Sequence, residues 1–197
     1  MFYNCAKTIV WFILKLLYRI KVTGLENLPN EGGYILAANH RCLLDPIFIA
    51  AELKHRVYFM AKKELFWFPF GSILRALGAF PVRRGEGDHS AVNRADDIIK
   101  EKKILGIFPE GTRSKTGEPL RPKSGIAVIA KDTKADVLPV GIHFDGKLRL
   151  GSKVTISYGK LIKFEELELS DEMQPSAIKK ASRLIMDRII ELSNSKG

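Results

Sequence analysis

Tyr34-Ile35-Leu36-Ala37-Ala38-Asn39-His40-Arg41-Cys42-Leu43-Leu44-Asp45-Pro46 decides how this chain folds: five apolar residues without a break, then a polar turn, then Asp-Pro. An uninterrupted apolar run of this length reads as a strand buried on both faces, which is the environment of a parallel sheet covered by helices. Asp followed by Pro is a helix start, so Asp45 is expected to cap a helix over Pro46 to Leu53. Similar apolar runs recur at Val57–Met60, Ile104–Phe108 and Val137–Gly141, with helical stretches at Ala91–Lys102 and Gly125–Lys131 between them. The order β, α, β, α predicts a single α/β domain with a central, mostly parallel sheet flanked by helices. Val154–Tyr158 reads as one more strand, at an edge, and Gln174–Ser193 as a closing amphipathic helix.

The 197 residues are 46% hydrophobic and 27% charged, a balance sufficient for one core, with no linker or repeat to divide it. Cys5 and Cys42 are the only cysteines. So isolated a pair reads as two free thiols in a reducing compartment, which places the chain on the cytosolic side. Lys and Arg number 32 against 22 Asp and Glu, a net charge of +10 that suits an anionic partner. A nucleic acid is disfavoured, since no binding motif and no interleaved basic and aromatic stripe is present.

Phe2 to Val22 is rich in large apolar residues, but Lys15 and Arg19 interrupt it before a spanning length accumulates. Wound as a helix, it gathers Asn4, Lys7, Trp11, Lys15, Tyr18 and Arg19 on one arc and Ile9, Phe12, Ile13, Leu16 and Leu17 on the other. Residues 1–22 are therefore expected to form an amphipathic helix lying in a membrane interface, basic residues toward headgroups. The plainer alternative is a helix that packs on the core without touching lipid.

Two polar segments follow buried strands, where open α/β sheets collect their ligands. In the first, a neutral His40 imidazole can take a proton from an attacking hydroxyl, and a carboxylate on its other nitrogen would orient it. On a continuous helix, side chains five residues apart diverge by roughly 140°, so His40 and Asp45 can meet only across a turn. A structural imidazole is the alternative for His40, and for Cys42 a small buried thiol is the simplest reading, with an acylated nucleophile as the alternative. The second segment, Phe108-Pro109-Glu110-Gly111-Thr112-Arg113-Ser114, combines a glycine turn with an arginine able to grip a phosphate bidentately. Between them Leu65-Phe66-Trp67-Phe68-Pro69-Phe70 fits either a lipid-facing lip or ordinary core.

Taken together these segments resemble the glycerolipid acyltransferase family, the 1-acylglycerol-3-phosphate and glycerol-3-phosphate acyltransferases. The family's Asn-His followed by Asp is matched at Asn39, His40 and Asp45, and its Phe-Pro-Glu-Gly-Thr-Arg-Ser block at Phe108 to Ser114. Lys63-Glu64-Leu65, Phe68-Pro69-Phe70-Gly71 and Gly78 to Arg83 follow the family's intervening pattern, and Val137-Leu138-Pro139-Val140 its fourth motif. Pro81 stands where an aliphatic residue is usual, and Arg121-Pro122-Lys123 lacks the usual aromatic before the lysine.

The resemblance implies an acyltransferase domain over residues 23–197 and a fatty acyl transfer from acyl-CoA or acyl-carrier protein to 1-acylglycerol 3-phosphate. His40 would be the general base and Asp45 its partner. Arg83, Glu110, Gly111, Thr112 and Arg113 would bind the phosphorylated acceptor, Pro139 would shape the acyl-donor side, and Asn39 and Lys123 would support the site. No metal or redox cofactor is expected, and backbone amides near Gly111 are the first candidates for oxyanion donors. Glycerol 3-phosphate or another lysophospholipid is the alternative acceptor, and a non-enzymatic basic lipid-binding protein the more distant alternative. The expected location is peripheral, on the cytoplasmic face of the cell membrane.

Overall fold

A computed structural model describes residues 2–82, 89–170, 172 and 174–195. Seven strands form one sheet: β1 Arg19–Thr23, β2 Ile35–Ala38, β3 Val57–Lys62, β4 Ala79–Val82, β5 Ile104–Ile107, β6 Val137–His143 and β7 Lys153–Tyr158. Their order is β1-β7-β6-β2-β5-β3-β4. The five strands β2 to β6 run parallel, β7 is antiparallel to β6, and β1 lies parallel to β7. All four residues of β2 and of β5 are buried, as their unbroken apolar sequences require.

Successive strand residues point to opposite faces, so each central strand feeds two cores. Leu36, Ala38, Leu138 and Val140 pack with Trp11, Leu14, Phe48 and Ile49 of α1 (Phe2–Leu17) and α2 (Asp45–Ala50). Ile35, Ala37 and Val137 pack with Ile98, Ile126, Ile178 and Ile185 on the other face, which is covered by α4 (His89–Lys100), α5 (Gly125–Thr133) and α6 (Pro175–Asn194). The short α3 (Phe70–Ala76) connects the parallel neighbours β3 and β4. The right-handed crossover rule places it on the α1–α2 face.

The first helix stops at Leu17 rather than reaching Val22. Arg19-Ile20-Lys21-Val22-Thr23 alternates polar with β-branched residues, and that period of two becomes the edge strand β1. β7 in consequence is an interior strand, not an edge. The opposite edge, β4, carries Pro81, which an outermost strand tolerates because one side of its ladder is unused.

The orientation of α1 also differs from expectation. Its basic arc faces the protein: Lys7 Nζ donates to the Leu53 carbonyl at 2.5 Å, Trp11 Nε1 donates to Glu52 Oε1 at 3.1 Å, and Lys15 Nζ lies 3.6 Å from the same carboxylate oxygen. The apolar arc, Ile9, Phe12, Ile13, Leu16 and Leu17, is left exposed. Among the described residues no helix is long and apolar enough to cross a membrane.

Candidate active site

Asn39 is the first residue beyond β2, and its side chain continues the sheet after the backbone has left it. Its amide donates to the Ile142 carbonyl at 2.9 Å and accepts the Ile142 N–H at 2.8 Å. With that tie made, the chain turns, and the turn brings His40 back over Asp45. Nδ1 of His40 lies 2.8 Å from Asp45 Oδ2. The Asp45 side chain is wholly buried and the His40 side chain 13% exposed, so the pair points out of the core at a single ring edge.

Leu44, not Asp45, is the N-cap of α2. The Asp45 carboxylate turns backward instead: Oδ2 accepts the N–H groups of Arg41 at 2.6 Å and Cys42 at 2.7 Å, while Oδ1 accepts the Cys42 thiol at 3.0 Å. An ionised carboxylate can only accept, so Nδ1 carries the ring hydrogen and Nε2 is left as a lone-pair acceptor. Burial and the neighbouring carboxylate push the Cys42 thiol up to about 12, so it is a poor thiolate source.

The plane of the imidazole is set by stacking. His40 lies on Phe108, centroids 4.1 Å apart at 16°, and Phe108 on Phe59, 5.9 Å apart at 14°. Gly106 of β5 makes room for this stack, since a Cβ there would come within 2.3 Å of the Phe59 ring. Phe108 opens the second motif, although no role was expected of its ring; Phe59 carried no signal beyond lying in the apolar run Val57–Met60.

Glu110 does not face the acceptor side as expected. It is buried, and its two oxygens accept the backbone N–H of His40 at 2.8 Å and of Leu120 at 2.9 Å. Burial pushes its carboxyl upward from the usual range, against the pull of those two hydrogen bonds. Glu110 therefore braces the His40 turn against the loop at Leu120. Gly111, at φ +68°, donates its N–H to the Phe108 carbonyl, so it is no oxyanion donor. The Ser114 N–H is likewise committed, to the His40 carbonyl at 2.8 Å. Among the described residues of this turn, the N–H groups of Glu110, Thr112 and Arg113 have no protein acceptor, and of these three residues only Thr112 and Arg113 are exposed.

Thr112 and Arg113 are exposed on the turn, and Lys123 joins them: its side chain crosses Gly111, where a Cβ would sit 2.9 Å from its Cδ and 3.3 Å from its Nζ. Arg83 lies outside the described residues. Arg41 is a cation the sequence reading passed over, and it is committed to the β6–β7 hairpin. Its guanidinium donates to the carbonyls of Phe144 at 2.6 Å and Gly146 at 3.3 Å and lies 4.0 Å above the Phe144 ring. Pro139 pairs with Ala37 on β2 and abuts Gly159 beside Leu192 of α6, the sheet face opposite the His40–Phe108 stack. It therefore faces away from His40.

The site is thus an imidazole held by a buried carboxylate, opening at a strand's end with exposed cations on the neighbouring turn. A family model described as Acyltransferase matches residues 19–143, and the chain belongs to that family. A 1-acyl-sn-glycerol-3-phosphate acyltransferase of Bacillus subtilis is 38% identical over 143 residues, covering 71% of this chain and 69% of that protein. One of Streptococcus pneumoniae is 33% identical over 157 residues, 75% of this chain and 57% of its own length. The solved 1-acyl-sn-glycerophosphate acyltransferase of Thermotoga maritima superposes with a TM-score of 0.73 at 25% identity, over 99% of this chain and 80% of that one.

Proposed function

We propose that this chain transfers a fatty acyl group from acyl-CoA or acyl-carrier protein to the free sn-2 hydroxyl of 1-acylglycerol 3-phosphate, making phosphatidic acid. The observation that carries the reading is the 2.8 Å contact between His40 Nδ1 and the buried Asp45, which leaves Nε2 directed outward as a base. The names of the relatives supply the acceptor class.

His40 Nε2 takes the proton of the acceptor hydroxyl as its oxygen attacks the thioester carbonyl. The C–S bond breaks as the tetrahedral intermediate collapses, and the departing thiolate takes the proton from the imidazolium. Asp45 stabilises that imidazolium while it lasts. Donor and acceptor are held together, so no acyl-enzyme intermediate is needed, and Cys42, turned onto Asp45, is not a nucleophile. The thioester is the only co-substrate; neither metal nor redox cofactor takes part. Arg113, Lys123, Thr112 and Arg83 would hold the acceptor phosphate, and the uncommitted N–H groups of Thr112 and Arg113 would serve as oxyanion donors.

The acceptor is a lipid, and the exposed apolar arc of α1 is suited to lie in a bilayer surface on the cytoplasmic side. A direct test is an assay of the purified chain with acyl-CoA and acyl-carrier protein against 1-acylglycerol 3-phosphate, glycerol 3-phosphate and 1-acylglycerol. Phosphatidic acid is the expected main product. Equal turnover of the phosphate-free acceptor would rule out the phosphate-based reading.

A further inference from the structure

Exposed apolar side chains are unevenly placed on this molecule. Among the described residues, every large one lies between residues 9 and 77 or is Leu150, and the layer of α4, α5 and α6 carries none. Leu25 and Leu77 apart, they fall on α1 or in loops at the carboxyl ends of the parallel strands: Leu43 after β2, Leu65, Trp67 and Phe68 after β3, and Leu150 in the hairpin after β6. Phe68 is 85% exposed, Leu150 75%, Leu43 71% and Trp67 61%. Because β1 runs against the parallel strands, its start and the end of α1 lie at that same carboxyl edge, confirmed by the Gly151 N–H bonding the Leu17 carbonyl at 2.8 Å.

The sheet order fixes where the site lies among these groups. β2, which leads through Asn39 into His40, is three strand spacings from β1, about 14 Å, and two from β3, about 10 Å. The α1 stripe and the Trp67–Phe68 loop thus stand on either side of His40, with Leu43 inside the catalytic turn between them. Lone exposed leucines need no explanation, but a one-sided set with an aromatic loop marks a docking surface.

Charge says which surface. Where α1 meets β1, an open groove of about 710 Å³ is lined by Arg19, Lys21 and Lys153, and by Lys15, whose ammonium is shared with Glu52 at 3.6 Å; no acidic residue is among its lining. Cations flanking an apolar stripe, and a tryptophan at the far end, match a bilayer with anionic headgroups, where tryptophan settles at the interface.

We infer that the chain sits on an anionic bilayer by two anchors, α1 and the Trp67–Phe68 loop, so that the exposed edge of His40 faces the membrane between them. This rests on the membrane reading above and adds the second anchor. A lipid acceptor then reaches His40 from the bilayer without crossing water.

The test uses the full chain with vesicles of phosphatidylcholine alone, or mixed with phosphatidylglycerol, carrying brominated acyl chains. Trp67 emission is isolated by comparison with Trp67→Phe. On mixed vesicles it is expected to shift to the blue and be quenched by the bromines, and Phe68→Ser to lower partitioning about tenfold. Both variants should turn over a short-chain, water-soluble acceptor at the wild-type rate, which shows them folded. Failure of the wild-type chain to bind vesicles overturns both anchors and the membrane reading. Binding with Trp67 still open to aqueous acrylamide, or with Phe68→Ser partitioning unchanged, overturns the second anchor alone. A blue shift without vesicles, accompanied by sedimentation as a dimer, would assign the surface to a second copy instead.

Discussion

The two halves of the site are built differently. The turn from Asn39 to Asp45 is held by a side-chain tie to β6, a ring stack on Phe108, a brace from Glu110 and four donors on one carboxylate. The facing turn at Thr112 and Arg113 presents exposed side chains, with Lys123 laid across its glycine. Chemistry at the first needs a base fixed to within a fraction of an ångström, whereas recognition at the second needs cations that can close on a phosphate. Changes in the two turns should therefore fail in different ways.

The largest effect is expected at the rigid turn. Asp45→Asn leaves the imidazole without its orienting carboxylate, and kcat should fall about 10³- to 10⁴-fold with substrate binding little changed. An equal rise in KM would erase the distinction between the turns. Arg113→Ala should do the opposite: KM for 1-acylglycerol 3-phosphate rises about 10- to 100-fold while kcat stays within about threefold, since one charge-assisted contact to the phosphate is lost. The acceptor lacking phosphate should not notice the change.

Glu110→Gln tests whether that residue belongs to the rigid turn. One amide N–H₂ must then face a backbone N–H, of His40 or of Leu120, and the unsatisfied donor costs about 1–3 kcal/mol. At this chain length that is a fall of about 3–10 °C in Tm, readable by calorimetry. A KM effect on the phosphorylated acceptor at unchanged Tm would return Glu110 to the recognition side. The smallest effect is expected at Cys42. Cys42→Ala should keep activity within about threefold, and in the wild-type chain its alkylation, followed by mass spectrometry, should be slow. A thiol pushed up to about 12 holds on the order of a thousandth of the thiolate of an ordinary one at the same pH.

Much of this was legible in the residues because it is local. The unbroken apolar runs at Ile35–Ala38 and Ile104–Ile107 can only be buried strands, and a histidine and an aspartate five residues apart can only meet across a turn. What escaped depends on partners distant in the chain. Whether Lys7 and Lys15 face water or protein is decided by Leu53 and Glu52, which no helical wheel contains. Glu110 looks like a polar turn residue until the N–H groups of His40 and Leu120 are found beside it. Pro139 sits one residue out of phase with Leu138 and Val140, and that single step of the strand sends it to α6 rather than toward His40.

The central claim is that Nε2 of His40 removes the acceptor's proton. It is tested most directly by single-turnover transfer in His40→Ala with acyl thioester and 1-acylglycerol 3-phosphate both saturating. The rate should drop about 10²- to 10⁴-fold while the Kd of each substrate stays within about twofold of wild type. A rate within tenfold of the wild-type chain would contradict it.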